Sequence, residues 1–140
     1  MWLASDRNGN FASFVTGGEG PIPIDVLNFE RTPVEDIERL VCQMPIVSTV
    51  HMLVTLKRPD SFIELAERGI FVYDWTDVHR TQSKAIHVYE PVAAPTSPIT
   101  SGGLSTELND IAQTIIFADV TFINGQPIDV RKQTRCCEHR

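Results

Sequence analysis

Residues 46–56, which read IVSTVHMLVTL, constrain the fold of this 140-residue chain more than any other segment. Nearly every residue in this run is apolar or β-branched, and runs of this kind form strands that are covered on both faces. We therefore predict that the segment is a central strand of a β-sheet. The helix and strand signals on either side of it then define the layers that cover the sheet.

Four further strands are predicted as two antiparallel pairs. The first pair is a β-hairpin, because two short apolar runs flank the turn sequence DRNGN. The second pair follows the middle of the chain and is joined by a polar loop. The paired segments are residues 2–5 with 11–16, and residues 70–75 with 85–92.

Three helices are predicted from their cap signals. Thr32 with Glu35, and Ser61 with Glu64, have the spacing of a capping box, in which two side chains satisfy backbone N–H groups at a helix start. Ser105 is the third cap residue. The predicted helices span residues 33–43, 60–68 and 105–113.

The order of these signals indicates an α+β fold with a mainly antiparallel β-sheet and about three helices. Strands and helices follow one another without regular βαβ alternation. Asn124-Gly125 lies between the apolar runs 115–123 and 127–130 and predicts one more hairpin. We expect residues 1–130 to form a single globular domain. The remaining ten residues, RKQTRCCEHR, are predicted to be a mobile basic tail at 131–140.

The glycine-rich sequence GGEGPIP at residues 17–23 raises the possibility of a phosphate-binding loop. Glycines let a ligand approach the backbone closely, but phosphate loops run directly into a helix and supply a Lys or a G-x-G-x-x-G spacing. Pro21 and Pro23 disfavour an immediate helix, and Glu19 would repel an anion. We predict a structural corner that binds no phosphate, with partner contact through Glu19 as the alternative.

The charge of the chain favours a protein partner with a basic surface. Residues 1–130 carry 8 basic and 17 acidic side chains, a net charge of −9, which disfavours nucleic acid. No apolar run approaches the about 18 residues that a membrane span needs. The N-terminus lacks the basic and apolar regions of a signal peptide, so we expect a cytoplasmic protein.

Metal and cysteine chemistry are not expected. Cys42 lies in a helical pattern and is predicted to be a small core residue. Cys136, Cys137 and His139 form C-C-x-H, which lacks the ligand spacing of a structural zinc site. We therefore predict no disulfide framework, no metal and no cofactor. His51, within the apolar run, is predicted to be a core or sheet-face histidine.

The segment DWTDVHR, residues 74–80, is the one polar cluster with varied chemistry in the sequence. Asp74, Asp77 and His79 could form a general-base set, as in a small hydrolase or ligand-binding enzyme. The same segment could equally be a solvated loop that recognises a partner. In that case Trp75, predicted to be half exposed, is the aromatic anchor.

Four motifs together resemble a known pattern. They are W-L-A-S-D-R-N-G-N at 2–10, T-G-G-E-G-P-I-P at 16–23, R-P-D-S-F-I-E-L-A-E-R-G at 58–69 and F-V-Y-D-W-T-D-V-H-R at 71–80. This set resembles a family of small bacterial cytoplasmic proteins with an A-T-D-x-x-G hairpin and a G-x-G-P-[IV]-P corner. The resemblance covers about residues 2–123. The chain departs from the pattern at Ser5, where Thr is usual, and in its basic tail.

The resemblance implies an immunity protein. Such proteins are encoded beside secreted toxins, including type VI secretion and polymorphic toxin effectors, and neutralise the cognate toxin by direct stoichiometric binding. The expected contacts are Asp74, Trp75, Asp77 and His79, with Glu19 in the glycine corner. The alternative is an enzyme that uses the cluster of Asp74, Asp77 and His79.

Overall fold

The structure, a computed structural model, describes residues 1–76 and 87–134. Six strands lie in this part of the chain: β1 (Trp2–Asp6), β2 (Phe11–Val15), β3 (Val50–Met52), β4 (Phe71–Trp75), β5 (Tyr89–Pro95) and β6 (Ile116–Phe117). The helices are α1 (Ile24–Leu27), α2 (Ile37–Cys42), α3 (Asp60–Ala66), α4 (Thr106–Ala112) and α5 (Val130–Gln133). Short 3-10 turns occupy Val34–Asp36, Ser101–Gly103 and Phe122–Asn124.

The six described strands form one sheet in the order β3-β5-β4-β2-β1-β6. The pairs β1–β2, β4–β5 and β3–β5 are antiparallel, whereas β2–β4 and β1–β6 are parallel. The predicted α+β class with a mainly antiparallel sheet is confirmed. Both predicted antiparallel pairs are present, although β5 begins at Tyr89 and extends to Pro95.

The sheet separates two hydrophobic cores. Successive side chains of a strand point to opposite faces, so Trp2 enters one core and Leu3 the other. The first core is aromatic, and its Trp2 and Phe14 rings are stacked with centroids 4.3 Å apart. The second core lies between the sheet and the helices α2, α3 and α4, and it includes Val72 of β4 and Val92 of β5.

The prediction that residues 46–56 form a central strand is wrong. Only β3 is a strand, and it lies at the edge of the sheet. Ile46 is 63% exposed, Val47 is 47% exposed and Leu53 is 41% exposed. His51 is also exposed, so it is not a core residue. A run of β-branched residues favours extended backbone but does not determine how many neighbours the strand acquires.

The helices lie close to their predicted positions, but two of the three caps differ. Ser105 caps α4 as predicted, because its Oγ accepts a hydrogen bond from the Leu108 N–H at 3.3 Å. Pro33 takes the cap position of the 3-10 turn that leads into α2, and Pro59 takes the cap position of α3. In the described structure neither start has a side-chain cap hydrogen bond. Thr32 instead donates its hydroxyl to the Glu107 carboxylate, which attaches the segment before α2 to α4.

The predicted hairpin at Asn124-Gly125 is wrong. Asn124 ends a 3-10 turn, and Gly125 follows in the left-handed conformation with φ 66°. The main-chain N–H of Phe122 donates to the Asp6 carboxylate at 2.8 Å, and Ile128 pairs with Tyr89 of β5. These long-range contacts, and not a hairpin, position the two apolar runs, and both Phe122 and Ile128 lie in the aromatic core.

The C-terminal part of the described chain contributes to the domain beyond residue 130. Val130 is 1% exposed in the aromatic core and begins α5, whose cap Asp129 accepts from the Arg131 N–H at 3.2 Å. The boundary predicted at 130 therefore falls at the start of a helix. No helix within residues 1–76 and 87–134 has the length and apolar character needed to cross a membrane.

Candidate functional site

The candidate site lies at the carboxyl ends of β2 and β4. These strands are parallel neighbours, and Val15 is the register partner of Asp74. Because parallel strands end at the same side of a sheet, the chains that leave β2 and β4 start next to each other. In open α/β sheets, small ligands bind outside the carboxyl ends of the parallel strands. Glu19 follows β2 by four residues, while Asp74 and Trp75 close β4.

The GGEGPIP sequence forms a tight corner after β2. The Thr16 carbonyl accepts from the Glu19 N–H at 3.2 Å and from the Gly20 N–H at 2.9 Å. The Thr16 hydroxyl also accepts from the Gly18 N–H at 3.2 Å. Gly17 and Gly18 have φ of 62° and 90°, values that L side chains rarely adopt. Glu19 is exposed, in agreement with its predicted position in the corner.

Gly20 explains why the corner requires a third glycine. A Cβ at this position would collide with the Tyr89 hydroxyl and crowd the Thr16 backbone. That hydroxyl donates to the Pro21 carbonyl at 3.0 Å and accepts from the Trp2 indole N–H at 3.3 Å. The predicted structural corner is confirmed. Non-helical residues 21–23 separate the glycines from α1, a short helix that the sequence analysis does not predict.

Trp75 is a core residue, and the expectation that it is half exposed is wrong. It is 4% exposed because its side chain shares the aromatic face of the sheet with its register partner Tyr89. The two ring centroids are 5.3 Å apart. The His87 ring lies 6.2 Å away, and the Arg131 guanidinium carbon stands 5.4 Å above the indole. Trp75 therefore supports the site from within the core.

Asp74 lies opposite Glu90 in the β4–β5 ladder. The two residues are 9% and 4% exposed, and each has an interaction partner. The sequence predicts that the two strands carrying these residues are antiparallel neighbours. Glu90, however, is not among the predicted site residues. Asp77 and His79, the other predicted members of the site, lie outside the described residues.

An open apolar groove of about 480 Å³ lies along the outer side of β5. Its lining includes Leu53 and Val54 from the chain after β3, and Gly125 and Pro127 from the chain before α5. It occupies a gap in the sheet, because β5 pairs with β3 on one side of Pro91 and with Ile128 on the other. Proline has no N–H, so β5 loses no backbone donor at this unpaired point. Sequence patterns did not predict the groove.

Cys42 is partly buried beside an acid. Its thiol lies 3.2 Å from the Glu64 carboxylate, and burial raises the pKa of Cys42 to about 11, with the Glu64 hydrogen bond adding to the effect. A thiol with a raised pKa is a poor nucleophile near neutral pH. Cys42, predicted to be a small core residue, is partly buried and packs against the second core from its margin.

Neither a metal site in the described residues nor a similar protein assigns a function to this site. Within the two described ranges, no group of three His, Cys, Asp or Glu residues is arranged to hold a metal ion. Comparisons of the chain with protein-family models, curated proteins and solved structures give no match. Function is therefore argued from the residues of this chain.

Proposed function

We propose that this protein is an immunity protein that neutralises a cognate bacterial toxin by direct, stoichiometric binding. The observation that carries the proposal is the parallel pairing of β2 with β4. This pairing brings the Glu19 corner and the acidic segment that begins at Asp74 to the same end of the sheet. Two chain segments separated by more than fifty residues therefore leave the sheet at the same end.

Charge supports a basic target. Residues 1–130 have a net charge of −9, and several of their cations already have acidic or carbonyl partners. Arg31 pairs with Asp110 at 2.7 Å, while Arg68 donates to the Cys42 carbonyl at 2.9 Å. Toxins that act on nucleic acid or anionic cofactors commonly present basic clefts. An acidic surface attracts such a cleft and raises the association rate.

The rigidity of the site also suits an inhibitor. Binding by a surface that is already ordered avoids the entropy cost of fixing loops during association. The corner after β2 is held by the three hydrogen bonds to Thr16 and by the Tyr89 hydroxyl on Pro21. Trp75 is buried and contributes by holding this end of the aromatic core. We therefore assign the direct contacts to Glu19 and to Asp77 and His79, which follow β4 in the sequence.

The first test is co-expression with the product of the neighbouring gene. We expect the protein to restore survival of cells that produce the toxin, and to copurify with it in a 1:1 complex. Light scattering of the purified complex gives the stoichiometry, and calorimetry gives the affinity. Absence of both rescue and binding would remove the immunity proposal.

Charge reversal at the corner tests the proposed surface. Glu19→Lys should slow association with the toxin by about three- to ten-fold and reduce its salt dependence, because exposed rim charges act mainly on the on-rate. Asp119→Lys is the matched control. Asp119 is exposed and follows β6, near Val120, whose carbonyl accepts from the Arg7 N–H at the far end of the β1–β2 hairpin. Equal on-rates for both variants would place the contact surface elsewhere.

An enzyme is the second candidate, and the register pairing of the acidic residues Asp74 and Glu90 in the β4–β5 ladder favours it. A small hydrolase or ligand-binding enzyme would use Asp74 with Asp77 and His79 as its acid–base set. His79→Ala should then abolish turnover of a chromogenic ester, phosphate or glycoside while the circular dichroism spectrum stays unchanged. Turnover that survives this substitution would exclude the proposed set.

A further inference from the structure

The edge strand β3 lies in an uncharged part of an acidic protein. Residues 46–56 contain no Asp, Glu, Lys or Arg. Natural edge strands are usually protected from pairing by charges, prolines or bulges. Of the six large hydrophobic side chains that are exposed in the described part of the chain, three belong to this run: Ile46, Val47 and Leu53.

The backbone of β3 presents hydrogen-bonding groups to the open edge of the sheet. Leu53 donates its N–H to the Val92 carbonyl at 3.0 Å, and the Thr49 carbonyl accepts from Thr96 at 3.0 Å. Paired residues in an antiparallel ladder alternate, so every second residue of β3 faces β5. The N–H and C=O groups of Val50 and Met52 therefore point away from β5.

We propose that two copies of this chain pair through β3 in antiparallel orientation, with the two-fold axis at His51. In this register Val50 of one copy faces Met52 of the other, and both residues exchange N–H and C=O hydrogen bonds. The two sheets become one continuous sheet. Such β-edge addition obtains affinity from main-chain hydrogen bonds and specificity from side chains on alternate positions.

The properties of the edge favour a second copy as its occupant. The two-fold arrangement is self-complementary, because the outward groups of Val50 and Met52 are related by the axis. It places no charged pair of like sign in the interface, although the chain has a net charge of −6. It also covers the half-buried Val50 and Met52 side chains, which pack against the helix-side core. A basic partner would instead be attracted to the acidic surfaces.

Disulfide trapping tests the register. In a chain with Cys42, Cys136 and Cys137 replaced by Ser, His51→Cys should form a disulfide-linked dimer on mild oxidation. Opposed residues of a non-hydrogen-bonded pair have Cα atoms about 4.5 Å apart, which suits a disulfide. Leu53→Cys is the matched control, since its two copies would be about 13 Å apart along the strands. Crosslinking of Leu53→Cys with no crosslinking of His51→Cys would overturn the register.

The oligomeric state tests the interface itself. The native chain should have twice the monomer mass of 15.7 kDa in light scattering at micromolar concentration. His51→Lys should be monomeric, because two ammonium groups would oppose each other across the axis. Ile116→Lys places the same charge on the opposite edge strand, where the native side chain is 56% exposed, and should remain dimeric. A monomeric native chain, or dissociation by Ile116→Lys alone, would overturn the proposal, as would β3 pairing only with a toxin strand.

Discussion

At the scale of single residues, Cys42 shows how neighbours determine chemistry. A lone cysteine in a helix has no distinctive sequence signal, and its reactivity depends on what folds against it. Here Glu64 of α3 meets Cys42 at the end of α2, and Arg68 donates to the Cys42 carbonyl. Burial and the adjacent carboxylate disfavour the thiolate, while the nearby guanidinium opposes them more weakly.

We expect Cys42 to be alkylated slowly. With Cys136 and Cys137 changed to Ser, iodoacetamide should modify it at about pH 8 on the order of a hundred-fold more slowly than a free cysteine. The rate should rise until about pH 11, where the thiol titrates. Glu64→Gln removes the carboxylate charge, so it should lower the pKa and speed the reaction. A rate equal to that of free cysteine would contradict this prediction.

The same raised pKa has a consequence for stability. The folded state holds the Cys42 proton more tightly than the unfolded state, whose thiol has the ordinary pKa of 9.0. The stability that the protonated Cys42 thiol adds to the folded state is therefore complete below about pH 9. It is lost as the pH rises towards about 11. Urea denaturation across this range should show a smaller loss of stability in Cys42→Ala than in the parent chain.

At the scale of elements, Tyr89 connects three separate segments. Its backbone pairs with Ile128, and its hydroxyl joins the Trp2 indole to the Pro21 carbonyl. The corner after β2 can approach this hydroxyl only because Gly20 has no side chain. The glycine at position 20 therefore allows the corner after β2 to pack against Tyr89 of β5.

Gly20→Ala should destabilise the fold by about 1–3 kcal/mol, because overpacking forces neighbouring groups to shift. Gly102→Ala is the matched control, since a Cβ at that position meets no atom of the described residues within 4 Å. The free energies of unfolding in urea give the comparison. If both substitutions cost the same, the contact between Gly20 and Tyr89 is not what requires the glycine.

At the scale of the whole molecule, Asp6 joins the first hairpin to a turn that lies 116 residues later in the chain. Its carboxylate is 2% exposed and accepts hydrogen bonds from the main-chain N–H groups of Asn8, Asn10 and Phe122, at 2.9, 3.0 and 2.8 Å. The first two bonds close the β1–β2 turn. The third positions the 3-10 turn that covers the aromatic core and borders the groove.

Asp6→Ala should destabilise the whole domain by about 3 kcal/mol or more. The substitution leaves buried N–H groups unpaired, and hydrogen bonds to a charged acceptor are worth about 1.5–3 kcal/mol each. Asp119→Ala removes an exposed carboxylate near the same turn and should change stability by less than about 0.5 kcal/mol. Chemical denaturation measures both. A cost for Asp6→Ala no greater than that of the control would show that the carboxylate does not hold these segments together.

The sequence by itself determined the elements whose causes are local. The DRNGN turn between alternating apolar runs specified the first hairpin, and Ser105 specified the start of α4. Gly69, which follows the predicted helix 60–68, has φ 90°, a conformation that glycine adopts readily. The exposed position of Glu19 in a corner was also predictable. In each case a few neighbouring residues determine the backbone conformation.

Only the tertiary structure decided the relations between distant segments. A β-branched run favours a strand, but its place at the edge depends on which strand pairs with β5. Burial of Trp75 and the opposition of Asp74 to Glu90 follow from the register of β4 with β5. The shared end of β2 and β4 follows from a parallel pairing across residues 16–70. Hydrophobic burial and backbone pairing act on the whole chain at once, so no local pattern specifies these contacts.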